Sequence, residues 1–291
     1  MARNPLAGRA TGGGRRGGAP DGSGRRDRGR SELRNRVLVA IPAIAFAIAI
    51  VSAGGAVFAA GAAALGLVCL HELFRMYAYV RPVRLAAMLA LVALAVAALL
   101  GDERAVLGVL MASLPLTFAL GLATPAERRL TASVSLTMLG IVWIGLGIAH
   151  AILLRELPHG GAIVVDVLVG TFAGDTGAYL GGRAFGTRRL APRISPNKTV
   201  EGLVIGIVTA VIATWCAGLY QDWLGHGEAL LLGLVVGLVA PLGDLFESKV
   251  KREARTKDAG SLFGAHGGAL DRLDAALFSL VAGYYVWVAM L

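Results

Sequence analysis

Three aspartates in the C-terminal part of the chain have the type and spacing that suit metal and phosphate chemistry. Asp244 lies at the end of one apolar run, and Asp271 and Asp274 begin the next. The latter two share a helical face because they are three residues apart. Two helix ends therefore bring three carboxylates towards a common point, and one or two carboxylates with substrate phosphates are what Mg²⁺ prefers. We predict that these aspartates are metal ligands.

The segment between these aspartates is rich in cations and glycine. Ser248 and Lys251 follow Asp244 at i+4 and i+7 and share its helical face. The helix start after the glycines adds positive potential for phosphate. The remaining candidates for contacts with a polyphosphate are Lys249, Arg252, Lys257, His266, Gly267 and Gly268. Carboxylates, cations and glycines together suit a nucleoside triphosphate with Mg²⁺.

A second polar loop runs from Gly174 to Gly202. Asp175 lies near the inner end of the apolar run before it, as a binding residue or as an anion paired with Arg183. In "SPNKTVEG", Ser195 is a plausible N-cap, and Pro196 and Glu201 fit the first helical turns. Lys198 and Thr199 could then bind phosphate at that helix start.

The elements that position these residues are apolar helices. The chain has 291 residues, 56% hydrophobic and only 16% charged, with a mean hydropathy of +0.68. Its apolar runs reach the roughly 20 residues needed to cross a bilayer. The expected fold is therefore an all-α polytopic membrane protein. We predict nine spans, at about 37–53, 56–76, 85–100, 105–123, 130–152, 161–182, 202–220, 229–247 and 273–291.

Residues 1–36 form an arm rich in Arg and Gly, which cannot bury a core and is predicted to be disordered. We expect three regions: this arm, N-terminal helices in 37–160 and a catalytic membrane region in 161–291. With the arm in the cytoplasm, only Arg104 and Arg155 of the cations fall outside, as the positive-inside rule demands. The C-terminus is then external, and the polar loops line a cavity facing the cytoplasm. The arm could touch anionic lipid, and nucleic-acid binding is not expected.

Other polar groups in the spans have weaker signals. Asp166 is nine residues before Asp175, so it falls on the opposite helical face and roughly 13 Å away at 1.5 Å rise, and we expect it to lie outside the site. Glu72 is expected either to pair with a basic group or to line the cavity. Cys69 and Cys216 lie in separate apolar runs and are expected to be buried hydrophobes without a disulfide or metal role.

The C-terminal motifs resemble the signature of the phosphatidate cytidylyltransferases, also called CDP-diacylglycerol synthases. That signature is a Ser, Lys-Arg, Lys-Asp, His-Gly-Gly and Asp-Arg-x-Asp. It corresponds here to Ser248, Lys251-Arg252, Lys257-Asp258, His266-Gly267-Gly268 and Asp271-Arg272-Leu273-Asp274. "DTGAYLGG" and "SPNKTVEG" resemble the family's other cytoplasmic motif. Ala269 departs from the larger apolar residue that is usual after His-Gly-Gly.

The resemblance implies the reaction of CTP with phosphatidate to give CDP-diacylglycerol and pyrophosphate at the inner membrane. It implies dependence on Mg²⁺, with one or two metal ions. By position, Asp244 and Asp271 would hold metal with support from Asp274, and Ser248 and Lys251 would meet the phosphates. Asp258 and Arg272 join the substrate-binding candidates. A homodimer is a further expectation, because dimers are common among such enzymes.

Three alternatives stay open at this point. A CTP-dependent polyprenol or phytol kinase would transfer the γ-phosphate and release CDP instead of pyrophosphate. An ion-coupled transporter would use Asp166, Asp175 and Asp244 as cation sites, although transporter sites lie near the bilayer midplane. A scaffold without catalytic activity would not need the three aspartates Asp244, Asp271 and Asp274.

Overall fold

The computed structural model describes residues 42, 44–123, 129–260 and 267–291, and this part of the chain is mostly helical. The helices are α1 Ile44–Ala53, α2 Gly55–Met76, α3 Arg84–Leu100, α4 Glu103–Leu122, α5 Leu130–Glu156, α6 Gly160–Phe185, α7 Val200–Gly218, α8 His226–Glu253 and α9 Leu270–Met290. A 3₁₀ turn, Ala78–Val80, follows α2, and α5 contains a π-helical segment, Ile141–Gly145. Ala45–Leu291 form one compact unit.

Seven of these helices are long and apolar enough to cross a membrane, namely α2 and α4 to α9. The other two, α1 and α3, are apolar but shorter. The described part of the chain thus has a helix in each of the nine predicted spans. The expectation of a helical, polytopic chain is confirmed to that extent.

The N-terminal helices pack around α3 and α5, because both carry continuous apolar faces. Leu91 and Leu94 of α3 and Ile144 and Ile152 of α5 are fully buried, and Phe74 of α2 joins them. α9 then packs on α5, α6 and α8. α9 therefore connects the apolar core to the helices that carry the polar loops.

α6 and α7 approach each other closely because small residues line their interface. A Cβ at Gly206 of α7 would lie 2.8 Å from the Cβ of Ala178, and one at Gly174 of α6 would lie 3.1 Å from that of Ala210. Small residues are the usual means of close helix packing in membranes. α8 packs against the same pair, and the three helices form one side of the bundle.

Between α6 and α7 the chain forms a short antiparallel hairpin of β1, Arg189–Ala191, and β2, Ser195–Thr199. The prediction that Ser195 caps a helix and that Pro196 lies in its first turn is wrong, because both residues belong to β2. The helix begins at Val200, and the Thr199 hydroxyl accepts a hydrogen bond from the Gly202 amide at 3.1 Å. The prediction that Glu201 lies in the first turn is confirmed.

Candidate functional site

A cavity of about 490 Å³ lies between α6, α7, α8 and the hairpin. Its charged lining residues Asp175, Lys198 and Asp244 lie near the hairpin, whereas towards the middle of the three helices the lining is made of small residues. These small residues are Gly170, Gly174, Gly206, Ala210, Gly237 and Ala240. The cavity therefore has a charged end and an apolar end.

Lys198 and Asp244 form an ion pair at the charged end of the cavity. Lys198 is the fourth residue of β2, so the hairpin carries it over the end of α8. The Ser248 hydroxyl lies 3.4 Å from Asp244 Oδ1, which confirms that these two residues share a helical face. The Asp175 carboxylate is within electrostatic range of both Asp244 and Lys198. Two residues of the Gly174–Gly202 segment, Asp175 and Lys198, thus lie close to Asp244 and Ser248 of α8.

The hairpin is held in place by a residue that the sequence did not single out for this role. Glu201, at the start of α7, accepts hydrogen bonds from the Thr187 hydroxyl at 2.7 Å and from the amides of Thr187 and Arg188. At the other end of the loop, the Arg252 guanidinium donates to the Ile194 carbonyl at 3.3 Å. These contacts fix β2 and therefore the position of Lys198.

Lys251 is the centre of a second charged cluster, at the ends of α8 and α9. Its ammonium lies 2.5 Å from Glu247 Oε2 and 2.8 Å from Asp271 Oδ1. Glu247 is only 1% exposed, and its other oxygen is buried and has no hydrogen-bond partner among the described residues. Sequence reasoning missed Glu247, although its spacing of four residues before Lys251 was an available signal.

Asp271 is bonded on both oxygens by groups of the protein. Besides Lys251, it accepts hydrogen bonds from the Ala259 amide at 3.0 and 3.2 Å and from the Gly268 amide at 2.6 Å. Gly267 has φ = 81°, a conformation that favours glycine, and a Cβ there would collide with the Asp271 carboxylate. The Gly268 amide was predicted to contact a phosphate. In this structure it donates its hydrogen bond to the Asp271 carboxylate instead.

Asp274 lies between the two clusters. It is 8% exposed, and its carboxylate is within electrostatic range of Asp244, Asp175 and Lys251. Gly243, the residue before Asp244, packs against the Asp274 carbonyl and the Ala275 backbone. The ends of α8 and α9 therefore do bring acidic residues towards one place, as the spacing predicted.

The donor chemistry of this place fits a hard cation such as Mg²⁺. Within the described residues no group of three or more His, Cys, Asp or Glu side chains is arranged to hold a metal ion. Mg²⁺ commonly takes only one or two carboxylates and completes its coordination with waters and substrate phosphates. Asp244 and Asp274 can supply such a pair. Asp271 would first have to release some of its present hydrogen-bond donors.

The other predicted binding residues have diverse positions. Ser195 lies on β2 and does not line the cavity. Arg252, Lys257, Asp258 and Arg272 are exposed. His266 lies outside the described residues, so its predicted phosphate contact stays a prediction.

Asp166 is separate from the cavity, as expected. It is fully buried, and both of its oxygens accept hydrogen bonds from the Gln221 amide group, at 3.0 and 2.8 Å. Gln221 follows α7, at the opposite end of that helix from Thr199 and the hairpin. Asp166 therefore links α6 to the loop after α7.

Tyr77, just beyond α2, connects the N-terminal helices to the end of α8. Its hydroxyl donates to the Val250 carbonyl at 2.8 Å. Burial raises the pKa of Tyr77 to about 12, so the group stays protonated and keeps this donor at neutral pH. The contact lies one residue from Lys251 and stabilises the position of that end of α8.

The chain is similar to one protein family and to several curated proteins. A model described as the Cytidylyltransferase family matches residues 34–290. The chain is 37% identical over 158 residues to the uncharacterized protein YnbB of Escherichia coli, covering 53% of each chain. It is 38% identical over 167 residues to a phosphatidate cytidylyltransferase of Mycobacterium tuberculosis, covering 56% of this chain and 49% of that one. It is 39% identical over 150 residues to the phosphatidate cytidylyltransferase of Bacillus subtilis, covering 51% and 56%.

The family match extends over most of the sequence, from the end of the arm to the last helix. The chain therefore belongs to the Cytidylyltransferase family. It spans about half the length of the curated relatives that it matches.

Proposed function

We propose that this protein transfers a cytidylyl group from CTP to phosphatidate, giving CDP-diacylglycerol and pyrophosphate. The observation that carries the proposal is the convergence of Lys198, Asp244 and Asp274 beside a cavity with one charged and one apolar end. An anionic nucleotide suits the charged end, and the acyl chains of a lipid phosphate suit the small, uncharged residues that line the cavity towards the middle of the helices. The family and the two phosphatidate cytidylyltransferase relatives support the same substrates.

The reaction joins two anions. An oxygen of the phosphatidate phosphate attacks the α-phosphorus of CTP, a new P–O bond forms, and the bond from that phosphorus to the β-phosphate bridge breaks. The nucleophile is already anionic, so little general-base help is needed. The protein's task is to hold two negative groups in line and to offset their repulsion.

Lys198 and Lys251 are the cations placed for that task. Each is paired with a carboxylate in this structure, Lys198 with Asp244 and Lys251 with Glu247 and Asp271. Both lysines are therefore held beside the site before substrate arrives. A triphosphate would share these ammonium groups with the carboxylates, and the Ser248 hydroxyl beside Asp244 could donate a further hydrogen bond.

Asp244 and Asp274 would hold Mg²⁺, with Asp271 as a further candidate ligand. Such an ion would offset negative charge on the phosphates and on the leaving pyrophosphate. A second metal ion remains part of the proposal, since Asp175 lies in electrostatic range of Asp244.

The same proposal covers orientation and assembly. The positive-inside bias supports a cytoplasmic N-terminus and polar loops that face the cytoplasm in the inner membrane, where CTP is available. The C-terminus would then be external. A homodimer also remains a prediction.

The direct test is an assay of the purified protein in detergent with phosphatidate, Mg²⁺ and α-labelled CTP. We expect label in the lipid together with an equal amount of pyrophosphate, and loss of both with EDTA. Asp244→Asn and Asp271→Asn should each lower turnover by about 100-fold or more, since each removes a charge at the reacting groups. Asp222→Asn, at an exposed carboxylate in the loop before α8, is the matched control and should retain turnover.

The outcomes separate the alternatives. Release of CDP with transfer of γ-label to an alcohol would show a lipid kinase. Uptake of an ion into proteoliposomes without nucleotide would favour a transporter. If several lipid acceptors give no labelled product, the assignment as a phosphatidate cytidylyltransferase is wrong.

A further inference from the structure

Glu72 is a buried carboxylate of α2 whose bonding partners lie almost 200 residues away in sequence. It is 5% exposed. Its Oε1 accepts a hydrogen bond from the Ala269 amide at 3.1 Å, and its Oε2 accepts one from the Leu270 amide at 2.9 Å. These amides belong to the N-cap and the first residue of α9. The expectation that Glu72 pairs with a basic group is not what these contacts show.

This contact replaces a cap that the sequence does not supply locally. The first amides of a helix have no partner within the helix, and a Ser, Thr, Asp or Asn at the N-cap usually provides one. α9 has Ala269 there, with no side-chain cap hydrogen bond. Glu72 supplies two acceptor oxygens from another helix, and its negative charge is favourable at the positive end of the helix dipole.

Two glycines make the space in which Glu72 fits. A Cβ added at Gly260 or at Gly268 would come closer than 3.0 Å to the Glu72 carboxylate. Gly260 follows Ala259, and Gly268 precedes Ala269. Both residues belong to stretches that also bond Asp271, through the amides of Ala259 and Gly268. Each of these two stretches therefore contacts both Glu72 and Asp271.

We propose that Glu72 is a positioning residue for the transfer reaction, an inference that rests on the proposed function. Its carboxylate fixes the first turn of α9 and, through Gly260 and Gly268, the backbone that bonds Asp271. Both Glu72 oxygens are engaged by the protein's own amides, so it acts on the substrate through Asp271 and Asp274. Removal of its charge lets the start of α9 shift while the rest of the bundle stays folded.

The test compares Glu72→Gln, Glu72→Asp and a control, Glu156→Gln, at an exposed glutamate at the far end of α5. The amide of Gln can accept at only one of the two positions and would present a donor to the other N–H. We expect Glu72→Gln to lower kcat by about 10- to 100-fold, the cost of a small misplacement of reacting groups. KM for CTP should change by less than about threefold, because the phosphate-binding lysines stay in place.

A second readout does not depend on turnover. Hydrogen exchange of the Ala269 and Leu270 amides should be at least about tenfold faster in Glu72→Gln than in the control, while amides of α3 keep their protection. Glu72→Asp retains the charge and should recover part of kcat. If wild-type protein shows no transfer to phosphatidate, the proposed function fails, and the exchange result still tests the placement of α9.

A second variant covers the case in which Glu72→Gln does not fold. Gly260→Ala leaves the Glu72 carboxylate in place but adds a Cβ that would collide with it. We therefore expect the same fall in kcat and the same faster exchange at Ala269 and Leu270. Unchanged kcat in the folded variants would overturn the proposal. So would an equal rise in exchange across all helices, which would show a general structural role.

Discussion

At the scale of single residues, Lys251 offers a sharp contrast with its neighbour Lys249. Both make an ion pair with a glutamate four residues away on α8. Lys249 and Glu253 are 54% and 59% exposed, whereas Lys251 and Glu247 are 16% and 1% exposed. An exposed ion pair contributes little to the free energy of unfolding. Removal of one partner from a buried pair is costly, because it leaves an uncompensated charge in the interior.

We therefore predict that Lys251→Gln lowers the free energy of unfolding by about 3 kcal/mol, and Lys249→Gln by less than about 1 kcal/mol. Unfolding by SDS titration in mixed micelles measures both. The double variant Lys251→Gln, Glu247→Gln should regain part of the loss, because Glu247 no longer carries a buried charge, whereas Asp271 still lacks its cation. Equal effects of the two lysine substitutions would contradict this account.

Some residues of the candidate site could be predicted because charged side chains beside apolar runs stand out in the sequence. Aspartates beside apolar runs are costly, and this led to Asp244, Asp271 and Asp274. Glu247 was missed because it lies in a helical stretch with many charges, so its spacing from Lys251 did not stand out, and its burial depends on how α8 meets α9. The role of Glu72 depends on a contact with Ala269 that no local pattern encodes.

At the scale of helices and strands, hydropathy located the apolar helices well but could not describe the polar connections. The predicted span 56–76 corresponds to α2, Gly55–Met76, and the predicted span 85–100 to α3, Arg84–Leu100. The hairpin was missed because β1 and β2 are very short and lack alternation of apolar and polar residues. Ser195 and Pro196 were predicted to begin the helix, but the N-cap is Thr199, four residues later. Ser195 and Pro196 lie in β2, and Pro is also tolerated in edge strands.

The correction at Thr199 leads to a prediction for α7. Thr199→Ala removes the acceptor for the Gly202 amide and should lower the free energy of unfolding by about 1 kcal/mol. Ser195→Ala should change it by less than about 0.5 kcal/mol, because Ser195 caps nothing. Denaturation in detergent micelles measures both. A larger loss in Ser195→Ala than in Thr199→Ala would show that Ser195, and not Thr199, caps the helix.

At the scale of the whole molecule, the arm and the helical unit are predicted to be independent in catalysis. The arm is rich in Arg and Gly and lacks the apolar residues needed for a core. Except for its last three residues, it lies before the region of the family match. Deletion of residues 1–30 should leave turnover in detergent unchanged within about twofold, because the arm contributes no residue to the proposed reaction. The steady-state rate with saturating CTP is the measurement. A loss above about tenfold would place the arm in the catalytic unit.

The length of α8 has a consequence for access of the proposed lipid substrate. Its 28 residues extend about 42 Å at the usual rise per residue, whereas the hydrocarbon core is about 30 Å thick. In the proposed orientation, the end that carries Asp244 and Lys251 lies at the boundary between lipid and water. A substrate confined to that boundary arrives by lateral diffusion in two dimensions. Its mole fraction among the surrounding lipids, rather than its amount per volume of solution, then determines how often the site is filled.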